Sequence, residues 1–91
     1  DPNIKVYVAL IIPTQNVAEN AVYVTHNAAL KTMLESYQLT KSNLYIVDFY
    51  TEWTNNANWV ADWMLDDYHP NSAGCIKFSS IWESAMALNG D

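Results

Sequence analysis

The run IKVYVALII at residues 4–12 constrains this chain more than any other segment. It is β-branched and apolar, with almost no alternation. A strand with one wetted face alternates apolar and polar side chains. A strand that does not alternate is covered on both faces, as in a parallel sheet flanked by helices. Pro13 ends the run, because proline has no N–H to give to a ladder. A parallel neighbour needs a crossover of about a dozen residues or more, and the following residues supply it. Residues 17–37 carry apolar side chains at helical spacing: Val17, Ala21, Val24 and Ala28, then Leu30, Met33, Leu34 and Tyr37. Asn16, with Glu19 three residues on, reads as an N-cap of the capping-box type. After a polar loop at 38–42, residues 43–50 (NLYIVDFY) read as a second strand. Strand, helix, strand is a βαβ unit with a right-handed crossover. Residues 51–67 are polar and Trp-rich, and read as a loop with one helical turn at 59–64, long enough to be functional. Ser72–Leu88 reads as the last helix, capped by Asn71 and stopped by Asn89 and Gly90. Its expected sheet-facing residues are Ile76, Ile81 or Trp82, Ala85 and Leu88.

Ninety-one residues make one small domain. Two strands leave two raw sheet edges, which a protein in water must pair or cover. The composition points the same way: 51% of residues are hydrophobic and only 15% charged, against about 25% charged in ordinary soluble domains. The chain is therefore expected to be part of something larger, with a partner chain pairing at 4–12 or 44–50. Its start at Asp1 rather than Met reads as the product of processing. The net charge is −6, with four lysines and no arginine. No basic stripe exists to meet phosphates, which argues against nucleic acid and anionic membranes. The longest apolar run, 6–13, is far short of the roughly 20 residues of a membrane span. The single Cys75 has no internal partner. It reads as a buried free thiol or as one half of a bridge to another chain. His26, with Glu19 and Asn27, has no second ligand at metal spacing, so neither a metal nor a cofactor is expected.

The segment that carries chemistry is Asp66-Asp67-Tyr68-His69-Pro70-Asn71-Ser72-Ala73-Gly74. An Asp three residues before a His, on a loop entering a helix, can fold back and accept from the imidazole Nδ1–H. That fixes the tautomer and leaves Nε2 as a general base. Pro70 stiffens the turn, Asn71 caps the helix, and Gly74 permits close packing. The plainer alternative is a surface loop with an incidental histidine. Trp53, Trp59 and Trp63 cluster beside this block, and aromatic rings can stack on sugar faces. The plainer alternative there is that one or two of them pack beneath the loop.

The run D-x-x-H-P-N-x-x-G ahead of a C-terminal helix resembles the last block of the SGNH (GDSL-type) hydrolases. VYVALIIP at 6–13 is similar to a strand ending in proline in the second half of those enzymes. Asn27-Ala28-Ala29-Leu30 sits where their helix carries an N-x-x-aliphatic stretch, and LYIVDFY at 44–50 resembles the strand before their catalytic loop. The combination is most similar to the secreted carbohydrate esterases of that superfamily, which deacetylate xylan and related polysaccharides. The resemblance covers nearly all of residues 1–91 but only the C-terminal half of the family's domain. It implies an α/β fold, the C-terminal part of a three-layer α/β/α flavodoxin-like domain with a parallel sheet, two strands and two main helices lying in this chain. It implies Asp66 and His69 as triad acid and base and a secreted protein, and the stacking rings of Trp53, Trp59 and Trp63 suit a carbohydrate substrate. The G-D-S nucleophile block, the oxyanion glycine and the G-x-N-D block of the family do not occur in these residues. Asp67 stands where glycine is commonest after the acid, and Cys75 where an aromatic often follows the last glycine. The expectation is a serine esterase acting on acylated carbohydrate as a heterodimer, its nucleophile on a second chain of the same precursor. The rival expectation is a non-catalytic sugar-binding or structural protein on a degenerate form of the same scaffold.

Overall fold

The computed structural model describes residues 4–90. These form a small mixed α/β domain with a two-stranded parallel sheet and four helices. In chain order they are β1 (Val6–Ala9), α1 (Val17–Gln38), β2 (Leu44–Val47), α2 (Phe49–Thr54), α3 (Trp59–Trp63) and α4 (Ser72–Leu88). The βαβ unit read from the sequence is present: β1 and β2 pair in parallel, with Val6 opposite Leu44 and Ala9 opposite Val47.

Both strands are shorter than the apolar runs that announce them. The ladder ends where Leu10 N–H donates to the Val47 carbonyl at 2.9 Å. Beyond it the chain is held by side chains of α1. Asn27 grips Ile11 at both backbone groups, accepting from its N–H at 2.9 Å and donating to its carbonyl at 2.9 Å. One helical repeat earlier, Asn20 accepts from Thr14 N–H at 3.0 Å. β2 stops at Val47 because Asp48 begins a helix, accepting from both Thr51 N–H and Thr51 Oγ1. Phe49 and Tyr50, expected in the strand, are therefore helical, and Phe49 is buried.

The stretch 51–67 is mostly not loop. It holds the rest of α2 and all of α3, with irregular chain at 55–58 and after Met64. The expected turn at 59–64 corresponds to α3. α4 runs as expected; Asn71 Oδ1 accepts from Gly74 N–H, and Gly90 follows the helix with φ 82°.

The core is aromatic: Val47, Phe49, Trp53, Met64 and Ile81, with Tyr7, Ala9, Phe78, Trp82 and Ala85 packed against it. Tyr7, Ala9 and Val47 share one face of the sheet by alternation and register, and this face meets α4. The inward face expected of α4 holds at Ile81, Trp82 and Ala85 and fails at its two ends, while the apolar spacing of α1 does not mark its buried side. On α1 only Asn27 and Leu34 are buried, while Val17, Val24, Met33 and Tyr37 are exposed. On α4 Ile81 is buried, but Ile76 and Leu88 are exposed. Cys75 is an exposed free thiol, which corrects the reading of it as buried. It follows Gly74 by one residue, on the outer side of a helix whose inner side Gly74 occupies.

Candidate functional site

The chain from Met64 to Gly74 is fixed at its base by the backbone. Met64 and Pro70 form an isolated antiparallel bridge, Leu65 N–H donates to the His69 carbonyl at 2.7 Å, and Asn71 N–H donates to the Trp63 carbonyl at 2.8 Å. Asn71 adds two side-chain bonds. Its Oδ1 caps α4 through Gly74 N–H, and its Nδ2 donates to the Asp62 carbonyl at 3.1 Å. It thus joins the end of α3 to the start of α4. Gly74 is required by space: a Cβ there would strike the Trp63 carbonyl oxygen and lie 2.8 Å from Pro70 Cβ.

Within this frame Asp66 organises a tight turn. One oxygen, Oδ1, accepts from Tyr68 N–H and His69 N–H, each at 2.8 Å. The His69 ring folds back so that Nδ1 lies 2.9 Å from both carboxylate oxygens. The N–H donors from Tyr68, the His69 ring and the His69 backbone hold the Asp66 carboxyl below the usual carboxylate range. An ionised carboxylate only accepts, so Nδ1 carries a proton, and in the neutral ring Nε2 keeps a lone pair. The pair is open to solvent, with the side chains of His69 and Asp66 exposed to 71% and 52%.

Tyr68, between the acid and the base, is also exposed. Its ring and Pro70 wall an apolar cleft of about 270 Å³, completed by Ile11, Ile12, Phe78 and Trp82 among others. Glu19, on the first turn of α1, is the main influence that pushes the Tyr68 phenol up to about 12. The field of Asp67 falls on Tyr68 as well.

The three tryptophans divide. Trp53 is fully buried, packed on Trp63 and Phe78 at centroid distances of 4.9 and 5.1 Å. It belongs to the core, which corrects its expected role in stacking on sugar. Trp63 is half-buried and has the Lys77 ammonium 5.5 Å from its ring centroid. Trp59 is also half-buried against the core.

Sequence reasoning passed over one residue inside the motif, Tyr68, whose N–H donates to Asp66 Oδ1 at 2.8 Å. An aromatic between a candidate acid and base was the available signal for Tyr68. Among the described residues no group of three or more His, Cys, Asp or Glu side chains is placed to hold a metal ion, and no helix is long and apolar enough to cross a membrane. Comparison of the chain with family models, with curated proteins and with solved structures gives no match.

Proposed function

We propose that this chain supplies the acid and base of a serine esterase of the SGNH type, acting on acylated carbohydrate outside the cell. The observation that carries the reading is the Asp66–His69 pair: Nδ1 held by a carboxylate at 2.9 Å, Nε2 facing solvent. No G-D-S block lies within these 91 residues. The serine and the oxyanion hole come from a second chain, docked where it covers the exposed pair and completes the three-layer domain.

In the assembled enzyme His69 Nε2 takes the proton of the partner serine as its oxygen attacks the ester carbonyl. The imidazolium so formed is stabilised by Asp66. His69 then returns the proton to the departing sugar hydroxyl, and a water repeats the sequence on the acyl-enzyme. Trp59, with Trp63 beside it, is the aromatic surface left for the sugar. The rival reading is a non-catalytic sugar-binding or structural protein on the same scaffold; the burial of Trp53 removes one of the three tryptophans from the sugar surface in either reading.

The test is active-site labelling of the assembled native protein with a fluorophosphonate, alongside hydrolysis of an aryl acetate. Labelling on the partner serine is expected, with hydrolysis lost in His69→Ala. Asp66→Asn should lower kcat by about four orders of magnitude, whereas Asp67→Ala should change it little. Absence of labelling, or full activity in His69→Ala, would reject the reading.

A further inference from the structure

We propose that a partner chain joins this molecule as a strand laid parallel to β1 along its outer edge, with an apolar side chain seated in the cleft beside the candidate catalytic turn. That this chain is the one bearing the serine rests on the esterase reading.

A two-stranded sheet has two edges, and here they differ. In the ladder Val6 N–H and Leu10 N–H donate to the carbonyls of Asn43 and Val47, so Val6, Val8 and Leu10 direct their peptide groups at β2. Ala9 turns its N–H and carbonyl to the far side, and among the described residues no hydrogen bond meets them there. The next outward peptide, that of Ile11, is closed by Asn27, which marks where the open edge ends. On β2 the outward residues are Leu44 and Ile46. Gln38 Nε2 donates to the Leu44 carbonyl at 2.9 Å, and Leu44 N–H donates to the Lys41 carbonyl at 3.3 Å. Two residues after Ile46, Asp48 caps α2. The β2 edge is thus shut at one end and cut short at the other.

The flanks differ as well. The groove along β2 is lined by Asp48, Glu52, Lys77, Ser80 and Ser84, which favour water over an apolar strand. Along residues 9–12 lies the apolar cleft of about 270 Å³ with Phe78 and Trp82. Ile4, Val6 and Ile11 are exposed, whereas no large apolar side chain at 44–50 is. An added strand gains from main-chain bonds and from pockets for its alternate side chains, and β1 offers both. Tyr68 and Pro70, on either side of His69 in sequence, wall the same cleft, at the carboxyl end of β1. Open parallel sheets bind their ligands at that end. A strand parallel to β1 delivers its following loop there, beside the Asp66–His69 pair. A second copy, paired edge to edge about a two-fold axis, would lie antiparallel and deliver its loop to the opposite end.

The test is made on the native assembled protein. Neither Ala9 N–H nor Ile46 N–H meets an acceptor among the described residues. Hydrogen exchange resolved to single amides should nevertheless be about a hundredfold slower at Ala9 than at Ile46. Ile4 and Ile11, replaced one at a time by a photo-reactive residue, should cross-link to one segment of the partner, the Ile4 adduct lying nearer that segment's amino end. Ile11→Asp, which charges the cleft and leaves the peptide bonds to Asn27 in place, should weaken association about tenfold or more. Ser84→Asp, in the groove along β2, should leave association unchanged.

Equally fast exchange at Ala9 and Ile46, adducts in reversed order, or cross-links only to a second copy of residues 1–91 would overturn the proposal. Adducts in the expected order on a partner in an assembly that takes no fluorophosphonate label would reject the esterase reading and leave the strand in place. A labelled serine chain that cross-links to neither position would reject the strand and leave the esterase reading.

Discussion

At the scale of single residues, the block from Asp66 to Gly74 is a set of short-range necessities, and Gly74 is the sharpest. Alanine is favoured over glycine inside a helix by about 1 kcal/mol. Here that preference loses, because an added Cβ meets the Trp63 carbonyl, which cannot rotate away. Gly74→Ala should lower stability by ~1–3 kcal/mol despite its better propensity. A thermal melt checks this, and a raised Tm would refute the close approach. The two shifted titrations at the same turn have opposite signs. Asp66 is held below its ordinary value, so its contribution is present above about pH 3.8 and is lost as pH falls through the lowered value. Tyr68 is raised from 10.0 to about 12, so its contribution is full below pH 10 and is lost as pH rises through about 12. Glu19 is the largest cause of that rise, with smaller contributions from Asp67 and Tyr23. Tyr68 is therefore expected to give a step above the ordinary tyrosine range in an alkaline absorbance titration. That step should vanish in Tyr68→Phe and move to lower pH in Glu19→Gln. An unchanged titration in both variants would show that Glu19 does not face the phenol.

At the scale of elements, Asn71 joins two helices, and its two bonds can be separated. Asn71→Ala removes both the cap on α4 and the bond to the Asp62 carbonyl, and should cost ~1–2 kcal/mol. Asn71→Ser keeps a capping oxygen and gives up only the second bond, so its loss should be clearly smaller in a denaturant melt. Equal losses would mean that the link to α3 matters more than the cap. The block 66–74 was legible in the sequence because the bonds that define its motif span only three residues: Asp66 to His69, and Asn71 to Gly74. Helix α4, the existence of α1 and the parallel pairing were legible for a similar reason, since caps and β-branched runs act locally. What failed was the assignment of faces. Asn27 and Asn20 lie on the buried side of α1 because the chain after β1 needs partners for its peptide groups. No apolar pattern signals that need. The strand ends were missed because Asp48 looks like one polar residue in a strand until its carboxylate is seen capping α2. Trp53 was misassigned because a tryptophan in a polar stretch reads alike whether it lies above or below the short helix that carries it.

At the scale of the whole molecule, the chain has too much surface for its core. Its radius of gyration is 14.3 Å, against about 12 Å for a compact domain of this length. Its accessible surface is 5915 Å², where a monomer of this mass is expected near 5,400 Å². Among the described residues seven apolar side chains are buried, while fourteen large ones are exposed. The exposed set includes Val17, Val22 and Val24 along α1, Ile4 and Val6 at the sheet, and Ile76 and Leu88 on α4. Apolar surface spread over both main helices and the sheet is too extensive for one small ligand to cover. On the proposed reading, a partner extends the layers and buries an interface of obligate size, above about 2,000 Å². Folding and association should then be one equilibrium, and apparent stability should depend on concentration. Tenfold dilution of the assembled protein is expected to lower its Tm, and the 91-residue chain alone should melt broadly and at lower temperature. Static light scattering during the same dilution gives the mass of the species that melts. A sharp transition of a 10.3 kDa monomer, unmoved by dilution, would show that this small core suffices on its own and would remove the physical ground for a second chain.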